Sequence, residues 1–154
     1  MSDIQVYDEL IRCLTKSFGD HLKAVVLFGS RAKNMASKNS DHDIFVIIEG
    51  LPDDPLHRLK QVRHAVIEIP LRVNFITKTP GEVAANLSPL FLDICVDGVC
   101  LFGVVYFETF RQKALNALKQ SGLKRKRTGQ VWYWSFENIP QKEWELTWEG
   151  FREL

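Results

Sequence analysis

Two short apolar runs bracket the most restrictive stretch of this chain. Lys23-Ala-Val-Val-Leu-Phe28 stops abruptly at Gly29-Ser30. After a small, polar segment the chain resumes as Asp41-His42-Asp43 and continues into Ile44-Phe-Val-Ile-Ile48. Runs of this length, rich in β-branched and aromatic residues, predict strands buried on both faces. Strands so apolar need further elements of the chain to cover them.

The flanking sequence supplies that cover. Over residues 3–18, Ile4, Tyr7, Leu10, Ile11, Leu14 and Phe18 fall at helical spacing, with Ser2 and Gln5 as a capping box before them and Gly19 as the stop. Gly50-Leu51-Pro52 ends the second strand. Asp54-Pro55 then starts a helix whose apolar face is Leu56, Leu59, Val62 and Val66. Leu71 to Ile76 alternates as a third strand, and residues 82–96 read as a helix in two pieces broken at Ser88-Pro89. Gly98 to Phe102 is a fourth short strand, followed by a longer helix over 104–120. The order α-β-α-β-α-β-α-β-α predicts an α/β (α+β) fold, a small mixed sheet with helices packed on it. A chain of 154 residues and 17.8 kDa has room for one such core. Residues 1–120 are expected to hold it, and residues 121–154 to form a basic linker and a Trp-rich C-terminal extension.

That last part differs in character. A formal net charge of +1 hides a segment, 111–127, with seven cations and no acid, followed by 130–154 with five Glu against one Lys and one Arg. Trp132, Trp134, Trp144 and Trp148 all follow the run Lys124-Arg125-Lys126-Arg127. Val131 to Phe136 and Trp144 to Trp148 both alternate, which predicts a β-hairpin or a wrapped tail about Asn138-Ile139-Pro140. The basic run reads as a solvated linker; the alternative is nucleic-acid contact through Lys124, Arg125, Lys126 and Arg127, with indoles stacking on bases. Cys13, Cys95 and Cys100 form no CxxC pair and read as buried thiols. His21, His57 and His64 lack ligand spacing, and no GxSxG motif is present. With no apolar run near ~18 residues and no basic, apolar leader, the chain is expected to be cytoplasmic and to make no membrane contact.

The chemistry concentrates in Leu27-Phe28-Gly29-Ser30-Arg31-Ala32 and Ser40-Asp41-His42-Asp43-Ile44, with ten residues between Ser30 and Asp41. A glycine after a buried strand lets backbone approach a ligand, and Ser30 at a helix start offers a hydroxyl and N–H groups to phosphate. Arg31 and Lys33 are candidate phosphate donors. In a strand Asp41 and Asp43 share a face, about 7 Å apart from a rise of ~3.3 Å per residue, while His42 points away. Two hard carboxylates so placed suit Mg²⁺, or Mn²⁺, bridging a nucleoside triphosphate, and nucleotidyl transfer needs that neutralisation. In the competing reading Asp41 is a strand-start turn residue and Asp43 a solvent-facing edge residue.

Gly29-Ser30, ten intervening residues and Asp41-x-Asp43 resemble the minimal nucleotidyltransferase family of the DNA polymerase β superfamily. The likeness covers roughly residues 20–103, including Ser88-Pro89-Leu90-Phe91-Leu92 to Gly98-Val99-Cys100-Leu101-Phe102-Gly103. The resemblance implies a palm-like mixed sheet with helices on one side, Mg²⁺ at Asp41 and Asp43, and an NTP, ATP favoured, at Gly29, Ser30 and Arg31. It further implies transfer of NMP to a hydroxyl of a protein or other acceptor. Many members are antitoxins encoded beside a HEPN-type toxin, and some transfer AMP to it. The sequence departs from the family where a third carboxylate is usual: Val73-Asn74-Phe75 carries Asn74, an uncharged ligand that cannot act as a base. Three consequences stay open: slow activity, replacement by another carboxylate such as Glu68, or a binding module that neutralises its partner without turnover.

Overall fold

The structure, a computed structural model, describes residues 3–154. The Ser2 cap falls outside the described residues. Helix α1 (Asp3–Phe18) leads through a 3-10 turn, Gly19–His21, into β1 (Leu22–Phe28). After the four-residue helix α2 (Gly29–Ala32) and a polar loop, β2 (His42–Ile48) runs back antiparallel to β1. Asp54 accepts from the Leu56 N–H and Pro55 occupies the first turn, which starts α3 (Pro55–Ala65) as the sequence predicts. Strand β3 (Val73–Lys78) begins two residues later than expected, because Leu71 and Arg72 belong to the turn leading into it. Helices α4 (Pro80–Ala85) and α5 (Pro89–Asp97) are capped separately by Thr79 and Ser88, the break the sequence marks. β4 (Val99–Phe102) and α6 (Val104–Ser121) complete the core.

The sheet has the order β3-β2-β1-β4, parallel only between β2 and β3. Its two apolar strands are central, as their double-sided burial requires. One face carries Val25, Leu27, Ile44, Val46 and Ile48 against α1 and α3; the other carries Ala24, Val26, Phe45 and Ile47 against α4, α5 and α6. Helices therefore cover both faces, not one. Leu10 and Leu14 lose all their exposure in this packing, each worth roughly 1.5–3 kcal/mol. Two details of the expected core differ. Leu56 lies outside the contact and is exposed, while Arg58 takes an inner position, its guanidinium donating to the Pro52 and Thr77 carbonyls and to Glu82 at 2.7 Å. Cys13 and Cys95 are buried, but Cys100 is half-buried.

The C-terminal strands pair differently from the expected hairpin. The basic run read as a linker is a strand, β5 (Leu123–Thr128), which pairs with β6 (Val131–Phe136) across a tight turn at Gly129. The other hairpin is β7 (Trp144–Thr147) with β8 (Gly150–Glu153). β6 and β7 do not pair, and Asn138-Ile139-Pro140 links the hairpins instead of forming a turn within one. Trp148 anchors the second hairpin in the core: its ring meets Phe91 and Phe110, and its Nε1–H donates to the Val83 carbonyl at 2.7 Å.

Candidate active site

The end of β1 and the start of β2 meet at one end of the two central strands, where Phe28 faces Asp43 in register. The next residue, Gly29, has φ +71°, and a Cβ there would lie 2.2 Å from Asp43 Oδ2 and 3.2 Å from Asp43 Cβ. Only glycine lets backbone pass this close to the carboxylate. The turn closes through Lys33 N–H to the Gly29 carbonyl and Met35 N–H to the Ser30 carbonyl. Gly29, Ser30 and Asp43 are thus brought together.

On its other side β2 pairs with β3 in the register Asp43 to Asn74, and the Asn74 amide donates to Asp43 Oδ1 at 3.1 Å. Asp43 therefore sits on a central strand between two neighbours, and the edge-residue reading does not hold. The turn-residue reading is accurate for Asp41, which precedes β2 rather than lying within it; its Oδ1 is 3.2 Å from Arg72 Nε. Both partners are more than half exposed, so this pair contributes at most about 1 kcal/mol. Among the described residues no three His, Cys, Asp or Glu side chains are grouped to hold a metal. Asp41, Asp43 and the Asn74 side-chain carbonyl are hard oxygen donors of the kind Mg²⁺ or Mn²⁺ takes; to ligate, Asp41 would have to turn from Arg72 and the Asn74 amide, whose nitrogen faces Asp43, would have to rotate. Glu68 is no substitute: it is exposed on the turn after α3, and the charge it reaches is Arg12 on α1.

Arg31 and Lys33 turn away in different directions. Arg31 donates through Nη2 to the Ser40 carbonyl at 2.7 Å and lies 3.7 Å from Asp3, so it braces the loop on the α1 side. Lys33 sits 3.8 Å from Asp97 and 5.0 Å from the Trp132 ring centre. His42 is buried opposite Asp43, with Tyr7 Oη 2.7 Å from its Nδ1; burial first, and Arg31 second, hold its imidazole below the ordinary value.

What sequence reasoning misses is where the hairpin of β5 and β6 docks. Arg125 pairs with Asp97 through both terminal nitrogens and with Asp93 at 3.4 Å, and stands 4.8 Å from the Trp132 ring centre; Arg127 is 5.2 Å from the same ring. Trp134 Nε1–H donates to Asp93 at 3.2 Å. These contacts fasten the basic strand to α5 beside Lys33, on the sheet face that also carries Asp43. The alternation Arg125, Arg127 against Trp132, Trp134 was visible in the sequence; its docking surface was not. Arg72 had a clearer signal, lying two residues before Asn74 as Asp41 lies two before Asp43.

A sequence profile described as Polymerase beta, Nucleotidyltransferase matches residues 9–88, just over half of the chain. The chain belongs to this nucleotidyltransferase family. The match begins at α1 and includes Gly29, Ser30, Asp41, Asp43 and Asn74, but ends before α5. A candidate protein adenylyltransferase of Methanocaldococcus jannaschii is 32% identical over 88 residues, 57% of this chain and 53% of the relative. The chain spans about half the length of that curated relative. Among solved structures, a toxin–antitoxin with AMP-PNP has a TM-score of 0.53 at 18% identity, covering 77% of this chain and 88% of that one. A double Asp-to-Glu mutant of the toxin–antitoxin MntA–HpeT has a TM-score of 0.53 at 17% identity, covering 73% and 86%. At these identities the likeness shows the nucleotidyltransferase fold. Among the described residues no helix is long and apolar enough to cross a membrane.

Proposed function

We propose that this nucleotidyltransferase transfers NMP from an NTP, ATP favoured, to a hydroxyl of a protein or other acceptor. The observation that carries the reading is the contact of the Gly29 turn with Asp43: a left-handed backbone bend after a buried strand lies against a carboxylate that only glycine allows so near. Gly29 and Ser30 seat the triphosphate, while Asp41 and Asp43, with the Asn74 carbonyl, hold a divalent cation, Mg²⁺ or Mn²⁺. When bound, that ion neutralises charge on the phosphates. Transfer forms a bond from the acceptor oxygen to the α-phosphorus and breaks the bond to pyrophosphate, and the acceptor proton leaves to solvent or a carboxylate. Asn74 takes no part in that proton transfer, because an amide is no base. Arg31 braces the Ser40 carbonyl and the approach to Asp41.

A toxin partner is the acceptor class that the two toxin–antitoxin neighbours favour, and the family resemblance narrows it to the HEPN type. The same neighbours, together with Asn74, support a second reading, in which the chain neutralises such a partner by contact alone. Incubation with each α-labelled nucleoside triphosphate, ATP first, and Mg²⁺ or Mn²⁺ in a lysate, beside the variant Asp41→Ala/Asp43→Ala, decides between them. Label that appears with the native chain and vanishes with the variant supports transfer, and the size of the labelled species identifies the acceptor. Absence of label with all four nucleotides and both metals refutes transfer and leaves the contact reading.

A further inference from the structure

On the face of the sheet opposite Asp43, a cleft of about 470 Å³ opens beside the loop before β2. Arg31, Lys38, Ser40, His42 and Arg72 line it, and no carboxylate does. Asp3 and Asp41 stand outside, each pairing with one guanidinium, Arg31 and Arg72 respectively. Lys38 has no ion pair among the described residues. Arg31 Nε, on a side chain that lines the cleft, is buried without a hydrogen-bond partner, an unusual and costly state for a donor. Three cations and an unsatisfied donor around an open, polar space describe a site for an anion.

We propose that this cleft binds a tetrahedral oxyanion of the phosphate class, and that its occupation draws Arg72 away from Asp41. Arg72 is the shared element: its Nε holds Asp41 and its side chain forms the cleft wall. An oxyanion bound beside Lys38 and Arg31 competes for that guanidinium and frees Asp41 for the cation. By linkage, anion and cation then bind more tightly together than apart. The coupling rests on the proposed role of Asp41 as a metal ligand; the anion site does not.

Two measurements separate these parts. Sulfate is titrated calorimetrically into the metal-free full chain and into Lys38→Gln. Binding to the native chain that weakens severalfold in the variant supports the site, and no binding, or equal binding in both, overturns it. Inorganic phosphate and glycerol 3-phosphate run as separate arms: tighter binding of the first marks a free anion, and of the second a phosphorylated group, in the same cleft. Mn²⁺ affinity is then read from the electron paramagnetic resonance of the free ion, with and without saturating sulfate. The exposed pair sets the expected gain at about two- to fivefold with sulfate. Arg72→Gln is expected to reach that tighter affinity without sulfate and to lose the response to it. Mn²⁺ binding that sulfate leaves unchanged or weakens overturns the coupling. Loss of all Mn²⁺ binding beside intact sulfate binding overturns the coupling through Asp41 while upholding the anion site.

Discussion

Replacing Gly29 with alanine adds one methyl group where the chain has least room for it. At φ +71° a Cβ pays the left-handed penalty of about 1–2 kcal/mol. For a chain of this size that lowers the melting temperature by about 2–8 °C. The methyl also lies 2.2 Å from Asp43 Oδ2, 3.0 Å from Cγ and 3.2 Å from Cβ, so rotating the carboxylate relieves only part of the clash. Asp43 must leave its place, and its hydrogen bond from Asn74, about 0.5–1.5 kcal/mol, goes with it. Displacing a reacting group by about 1 Å costs of the order of 100-fold in rate. Gly19→Ala is the control: φ +53°, nothing within 4 Å of the added Cβ, and a position at the far end of β1. Thermal melts followed by circular dichroism, with labelled-ATP transfer and Mn²⁺ binding, give the comparison. Both variants should lose stability, and only Gly29→Ala should lose transfer and Mn²⁺ affinity. Transfer by Gly29→Ala within a fewfold of native, or an equal loss in Gly19→Ala, refutes the argument that this contact builds the site.

Asn74→Asp places a second carboxylate across from Asp43 and should tighten Mn²⁺ binding about tenfold while lowering the metal-free melting temperature through like-charge repulsion; unchanged Mn²⁺ affinity would remove Asn74 from the site. Arg58→Ala strips donors from Pro52, Thr77 and Glu82 and should cost about 2–3 kcal/mol by urea denaturation. That is less than for a fully buried pair, because Glu82 keeps 42% of its side-chain exposure; a loss under about 1 kcal/mol counts against a structural Arg58. Burial pushes the Glu82 carboxyl up, but the Thr79 N–H and the Arg58 guanidinium outweigh it and hold it below its ordinary 4.5. Its contribution is therefore present above that unfolded value and lost as pH falls through the lower folded one. Melts from pH 6 downward should fall less steeply in Glu82→Gln, and parallel curves would contradict this. Arg125→Ala should release the hairpin of β5 and β6 from Asp93 and Asp97, so that trypsin cleaves within 124–127 faster while the main melt stays in place; unchanged cleavage would mean that other contacts hold it.

Much of the fold was legible in local pattern. The two apolar runs were readable as buried strands, and Gly29 could be read as a close approach before its neighbour was known. The helix break at Ser88-Pro89 was legible too, whereas Thr79, which the sequence marks only as a strand end, also caps α4. The tail was misread because alternation names a strand but not its partner: Lys124 to Arg127 alternates with one face toward α5, and nothing local shows that Asp93 and Asp97 wait there.

The site divides in the same way. Residue order alone determined that Gly29, Ser30 and Asp43 meet, since a strand, a turn and a returning strand leave them no other geometry. Tertiary structure decided the rest. The parallel register of β2 with β3 depends on a crossover through α3, and that register alone puts Asn74 beside Asp43 and Arg72 beside Asp41. The direction of Arg31 was decided by the loop carbonyl at Ser40 and by Asp3 on α1, partners 9 and 28 residues away in sequence. Long, flexible cations take whatever acceptors the packed elements leave within reach, so their roles are settled only when those elements have come together.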